Sequence, residues 1–320
     1  MSEIQRITIL GAGALGMLYA TKFYAAGFDV ELAASGERAT RLRQEGILVN
    51  SRHYDFPVTT PELATPGDLI IVALKHHHMP AAVPLLKNFI GPDTLIISVM
   101  NGIVSEDILA AQYGWEHVLY CVAVGMDAVR EGNRTTYTTP GKLLIGEAQN
   151  NLAPSPRLRR LQTALSRVGL SHETPPDMLR SLWWKFMVNV GANQASAAMK
   201  ATYGMLRENP DASALMESLM REAVTMAEHL GIDLHENAIA EWYSFLNKLS
   251  ADGKTSMLQD IEAGRKTEFE LFAGTVVELG RQHNIPTPVN QSLLQIIHVL
   301  ESAPAERFSS EMTSCNIAKA

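Results

Sequence analysis

Gly11-Ala12-Gly13-Ala14-Leu15-Gly16 follows directly on the apolar run Ile7-Thr8-Ile9-Leu10 and opens a helical stretch from Ala14 to Ala26. In such a strand-loop-helix unit each glycine has its own reason. The first permits the tight turn, the second lets backbone approach a pyrophosphate, and the third lets helix and strand pack closely. The helix N-terminus adds N–H donors and a dipole that favours an anion. A glycine-rich turn without a ligand is the plainer alternative, and its place at the start of this unit disfavours it.

The runs that follow agree with that beginning. Asp29 to Ala34 reads as a second strand and Glu37 to Glu45 as a helix ending at Gly46. Asp68 to Leu74 and Thr94 to Val99 are nearly continuous apolar runs bounded by Gly and Pro, the pattern of strands covered on both faces. Val118 to Met126 and Lys142 to Gly146 add strands around a hairpin near Gly132-Asn133. Beyond about Gly169 the periodicity becomes helical, with helices expected over Asp177–Met199, Asp211–Leu230, Glu236–Leu249, Arg265–His283 and Pro288–Leu300. Pro175-Pro176 would lead into the first of these, with Asp177 placed to cap it. The fold class is therefore an α/β doubly wound Rossmann-type sheet followed by an all-α C-terminal domain. The boundary is expected at 170/171, with a loose tail from about residue 302. A length of 320 residues suits two domains at about 150 residues each.

Composition excludes several function classes. Lys and Arg number 27 against 34 Asp and Glu, a net charge of −7, where a nucleic-acid partner would call for a basic face. No apolar run reaches the ~18 residues of a membrane span. Met1 to Arg6 shows no cationic region and apolar core of a secretory signal, and two cysteines, Cys121 and Cys315, make no disulfide framework. A cytoplasmic protein without nucleic-acid or membrane partners is expected. His76-His77-His78 does not suit a metal, because consecutive side chains share neither a helix face nor a strand face. A solvent-facing loop or helix start fits them better, and no metal site is expected. Cys121 reads as a small buried hydrophobe.

Two further features bear on chemistry. The second strand ends in Leu32-Ala33-Ala34-Ser35-Gly36-Glu37-Arg38, without the acid that would bind the ribose 2′-hydroxyl of NAD. Ser35 and Arg38 would suit a 2′-phosphate and so NADP, while Glu37 argues the other way unless it faces solvent. In the first C-terminal helix, Lys185, Asn189 and Asn193 stand four apart on one face among apolar neighbours. Asn is a poor helix former, so the stripe suits a polar cleft; a solvated face would carry more charge. Glu268, taken alone, fits a helix-dipole or capping carboxylate.

The ordered set of motifs resembles the ketopantoate reductase (2-dehydropantoate 2-reductase) family over nearly the whole chain. It comprises the GAGALG loop, Leu74-Lys75, Met100-Asn101-Gly102, the Leu-Trp-x-Lys-x-x-x-Asn-x-x-x-Asn helix, and SMLQD with GRKTE. The resemblance implies an NADPH-binding Rossmann domain and a helical domain enclosing a cleft for a 2-keto acid. Lys185 stands at the position of the family's catalytic lysine, and Glu268 at that of a substrate-site glutamate. Asn101 and Lys75 match the nicotinamide and substrate end, and Asn189, Asn193 and Ser256 match polar substrate contacts. The implied activity is NADPH-dependent reduction of ketopantoate to pantoate, toward pantothenate and coenzyme A. Lys185 would stabilise the developing oxyanion and donate its proton.

Three departures stand out. Ser35 occupies the place of the usual arginine after the second strand. Gly253 stands where some members have a substrate-binding asparagine, and Tyr203-Gly204 replaces an asparagine-glycine pair. Ser35 weighs against NADP, and the other two leave open a reductase of another branched or aromatic 2-keto acid; a non-catalytic NADP-binding regulator is the alternative of a different class. Arg265-Lys266 suits either cofactor contact or plain surface. The methionine-rich helical domain tolerates a homodimer without demanding one.

Overall fold

Each apolar run of the N-terminal half splits by residue parity into two cores, which is why the runs look continuous. The computed structural model describes residues 3–302; the expected tail and Cys315 lie outside them. Twelve strands run β1 (Arg6–Leu10), β2 (Asp29–Ala33), β3 (Ile47–Val49), β4 (Arg52–Tyr54), β5 (Val58–Thr59), β6 (Leu69–Val72), β7 (Leu95–Ser98), β8 (Val118–Met126), β9 (Val129–Glu131), β10 (Arg134–Thr136), β11 (Pro140–Gly146) and β12 (Ser171–Glu173). Eight form one sheet in the order β12-β11-β8-β7-β6-β1-β2-β5. All its pairings are parallel except β8 with β11. Ile7, Ile9, Leu69, Ile71, Leu95 and Ile97 pack on one face with Phe23, Leu158 and Leu161. Leu10, Ile70, Val72 and Ile96 pack on the other with Leu86, Phe89 and Leu109. Alternate residues of a strand face opposite sides, so helices on both faces demand apolar side chains at every position.

The hairpin near Gly132-Asn133 is present, joining β9 to β10. It belongs to a second sheet that sequence reading did not foresee, ordered β4-β3-β10-β9, in which β10 runs parallel to β3.

The chain packs as two compact units, the first running to Phe186 and the second beginning at Met187. Residues 171–173 belong to the sheet of the first unit, because β12 pairs with β11. Asp177 caps the next helix as expected, its Oδ1 accepting the Arg180 N–H at 2.8 Å.

From residue 177 on, the expected helices are present with altered ends, such as Pro210–His229 and Asn237–Leu246. Two differences matter. The expected helix over 177–199 is α-helical from Met178 to Val188, passes through a π turn at Asn189–Asn193, and resumes at Gln194–Met199. The helix expected from Arg265 begins only after Glu268, with a π turn at Glu270–Gly274 leading into Thr275–His283. The reason lies just upstream: Gly264 has φ +63 and the Arg265 N–H turns back to Asp260 O, so residues 265–267 lie outside any helix.

Candidate active site

The glycine loop separates what the protein needs from what a ligand needs. Gly11 has φ +111, and a Cβ there would stand 2.4 Å from Ala73 O. A Cβ on Gly16 would meet Gly11 O at 1.9 Å. Both glycines are therefore demanded by the close approach of β1, the loop and the segment after β6. Gly13 is different: its φ is −92, and a Cβ would only touch Ala73 O at an ordinary 3.7 Å. Nothing in the protein requires glycine there, whereas a pyrophosphate seated on the backbone would. The helix Ala14–Ala25 begins with no side-chain cap and no acid in its first turn, so its N–H donors suit an anion. Ala12 is buried, while Ala14 and Leu15 are half-buried at this end. These features fit a dinucleotide.

Beside the loop, Ser35 is the N-cap residue of the helix Gly36–Glu45, but its hydroxyl makes no capping bond. Arg38 Nη2 donates to Ala12 O at 3.1 Å, tying that helix to the glycine loop. Glu37 is exposed, so its charge is solvated. Lys75 is exposed just beyond β6 and precedes a single 3-10 turn formed by His76–His78, the helix start expected of that triplet.

The first unit also gathers residues far apart in sequence. Lys185 is half-buried, and its Nζ donates to Asn101 Oδ1 at 3.0 Å and to Ala123 O at 2.6 Å. Asn101 follows β7 and Ala123 lies on β8, so the parallel pairing of those strands sets the two acceptors side by side. Neither oxygen carries a formal charge, and the two bonds orient the ammonium. Behind β8 lies Glu106, only 2% exposed, which the sequence reading missed for want of any motif. Ser105 Oγ donates to its Oε2 at 2.7 Å. Burial pushes the Glu106 carboxyl up to about 7, against the hydrogen bonds from Ser105 and the Cys121 backbone. Cys121 is buried and its thiol is pushed far up, chiefly by desolvation, in keeping with a structural role.

In the second unit Asn193 Nδ2 donates to Asn189 Oδ1 at 3.2 Å and lies 3.4 Å from Ser256 Oγ. Asn189 is 8% exposed and its Nδ2 has no partner within the protein. An unmade bond on such a group costs roughly 1–3 kcal/mol, and a π turn frequently marks a functional position. Glu268 is half-buried at the bend before its helix, its carbonyl accepting from Leu271 and Phe272. Arg265 pairs with Asp260 at 2.8 Å as a surface ion pair.

Comparison with known proteins supplies independent findings. The family model described as ketopantoate reductase PanE/ApbA matches residues 7–150, and its C-terminal counterpart matches residues 177–301. A 2-dehydropantoate 2-reductase of Halobacterium salinarum is 27% identical over 305 residues, covering 92% of this chain and 99% of that protein. Among solved structures, D-mandelate dehydrogenase in complex with NADH is similar at a TM-score of 0.82 and 22% identity, covering 93% of this chain and 99% of the other. A dimeric ketopantoate reductase from Staphylococcus aureus is similar at a TM-score of 0.75 and 21% identity, covering 92% and 98%.

Two outcomes follow from this geometry. Gly16→Ala is expected to abolish stable folding, whereas Gly13→Ala keeps the wild-type unfolding midpoint and weakens dinucleotide binding by about tenfold or more. Thermal melts with cofactor titrations check this, and Gly13→Ala binding like wild type would contradict it. Glu106 is the second. Its folded pKa lies above the unfolded value of about 4.3, so its contribution is fully present below that value and is lost as pH rises through about 7. The melting midpoint of Glu106→Gln should therefore gain on wild type between mildly acidic and mildly alkaline pH. A difference independent of pH would rule that out.

Proposed function

The chain belongs to the ketopantoate reductase family, and from that membership we propose that it reduces 2-dehydropantoate to pantoate with NADPH. The observation that carries the reading is the ammonium of Lys185 held on Asn101 and Ala123, in the same unit as the glycine loop. Reduction of a ketone places negative charge on the carbonyl oxygen as its carbon is attacked. A preplaced cation with a transferable proton lowers that barrier, because no reorganisation is needed when the charge appears.

When bound, the reduced nicotinamide supplies the hydride to the carbonyl carbon. Gly11 to Gly16 hold the pyrophosphate, and Ser35 with Arg38 meet the 2′-phosphate. Lys185 hydrogen-bonds the carbonyl oxygen and gives an Nζ proton to that oxygen as it takes up the π-bond electron pair and becomes a hydroxyl, then recovers a proton from water. Asn101 fixes the Lys185 ammonium and, with Lys75, lines the reacting end. Asn189, Asn193 and Ser256 bind the carboxylate or the distal hydroxyl, where the unsatisfied Asn189 Nδ2 finds its acceptor. Glu268 accepts from the substrate hydroxyl. The dimeric Staphylococcus aureus protein supports a homodimer as the working form. Action in the cytoplasm fits a chain whose described helices are too short or too polar to cross a membrane.

A second substrate reading has its own observation. Tyr203 N–H donates to Gly253 O at 2.9 Å, and a Cβ at Gly253 would strike the Tyr203 ring at 2.8 Å. The two departures from the family pattern are thus one packing event, in which an aromatic ring takes the space of a side chain at residue 253. A site walled in this way suits a branched or aromatic 2-keto acid.

The test is oxidation of NADPH, followed at the reduced-nicotinamide band, with ketopantoate beside phenylglyoxylate and branched 2-keto acids. A kcat/KM highest for ketopantoate is expected. A higher value for phenylglyoxylate or a branched acid would replace the substrate while keeping the chemistry. Cofactor binding without turnover on any of them would overturn the enzyme reading in favour of a regulator.

A further inference from the structure

The small sheet packs through β3 and β10 on the helix Ala14–Ala25 that follows the glycine loop, and its strand β9 carries a cation. Arg130 lies on β9, half-buried, with its Nε bonded to Gly132 O at 2.8 Å. The helix Gly36–Glu45 carries Arg38 and Arg41 at helical spacing, and Arg38 also reaches Ala12 O of the glycine loop. The three guanidiniums lie within electrostatic reach of one another. Burial first, then the charges of Arg38 and Arg41, lower the Arg130 pKa to about 10, with Glu45 opposing. Burial and Arg41 likewise lower that of Arg38. Among the described residues none of the three forms an ion pair with a carboxylate. Gathering like charges and partly burying two of them is unfavourable unless an anion joins them.

The position says which anion. A dinucleotide whose pyrophosphate rests on Gly13 runs its adenosine ribose past the end of β2, at Ser35. There the helix Gly36–Glu45 presents an uncapped N-terminus and Gly36 faces open space. A phosphate monoester on the ribose 2′-oxygen would meet that N-terminus and the two half-buried guanidiniums. We propose that Arg130, brought in by the small antiparallel hairpin, clasps the 2′-phosphate of NADPH together with Arg38 and is the principal residue discriminating NADPH from NADH. The proposal rests on the NADP reading above and names the side chain that replaces the arginine missing at Ser35. Arg41, exposed on the same helix, adds charge at longer range.

The experiment measures dissociation constants of the full chain and its Arg130→Gln and Arg130→Lys variants for NADPH, NADH, adenosine 2′,5′-bisphosphate and adenosine 5′-monophosphate. Losing a charge-assisted hydrogen bond should weaken NADPH and the bisphosphate by about tenfold or more in Arg130→Gln, while NADH and the monophosphate stay within about twofold. Unchanged binding of those two also shows that the variant is folded. Arg130→Lys should recover part of the loss, since charge is kept and the planar fork is not. Wild type preferring NADPH, with Arg130→Gln preserving the preference, would overturn the role of Arg130 and leave the NADP reading standing. Wild type binding NADH as tightly as NADPH would overturn both.

Discussion

A lysine ammonium bonded to two uncharged oxygens is the interaction around which the first unit is arranged. Lys185 Nζ reaches Asn101 and Ala123, and each of these positions depends on the sheet. Asn101 leaves the end of β7, and Ala123 lies in β8 where it pairs with β11. Parallel pairing of β7 with β8 gives the two acceptors a common rim, and the capped start of the helix Met178–Val188 delivers the lysine. Both acceptors are uncharged and held by the sheet, so they keep the ammonium in one geometry, and preplacement of that kind is what stabilises charge that develops during a reaction.

The same unit shows where folding and function make separate demands. Gly11 and Gly16 serve the chain itself, because backbone oxygens fill the space of any side chain. Gly13 carries no such demand, because a Cβ there would make only an ordinary contact with Ala73 O. Glu106 is buried behind β8 and Cys121 within that strand, where desolvation opposes ionisation of both. In the second unit Asn189 leaves a buried amide hydrogen without a protein acceptor, within a π turn. Poor local satisfaction of this kind is expected where a ligand completes the bonding.

Legibility from sequence followed the strength of the local pattern. The doubly wound sheet could be read because Ile7–Leu10, Leu69–Val72 and Leu95–Ser98 are apolar at both parities, which only a two-sided sheet requires. The glycine loop and the Lys185–Asn189–Asn193 spacing could be read for similar reasons. The π turn could not, since apolar periodicity does not encode a one-residue slip in helix hydrogen bonding. The small sheet was hidden because β3 and β10 are three residues each and separated in the chain by the whole run from β4 to β9. Arg130 was hidden with it. The late start of the helix after Glu268 turned on a single Gly264 reversal within an otherwise helical pattern.

The most direct test of the central claim separates hydride transfer from binding at Lys185. In rapid-mixing single-turnover experiments, Lys185→Ala should bind NADPH as wild type does and transfer hydride to the preferred 2-keto acid at least about a hundredfold more slowly. Equal loss of NADPH affinity and rate would make Lys185 a structural post. An undiminished rate would contradict the claim that its ammonium carries the proton and the charge.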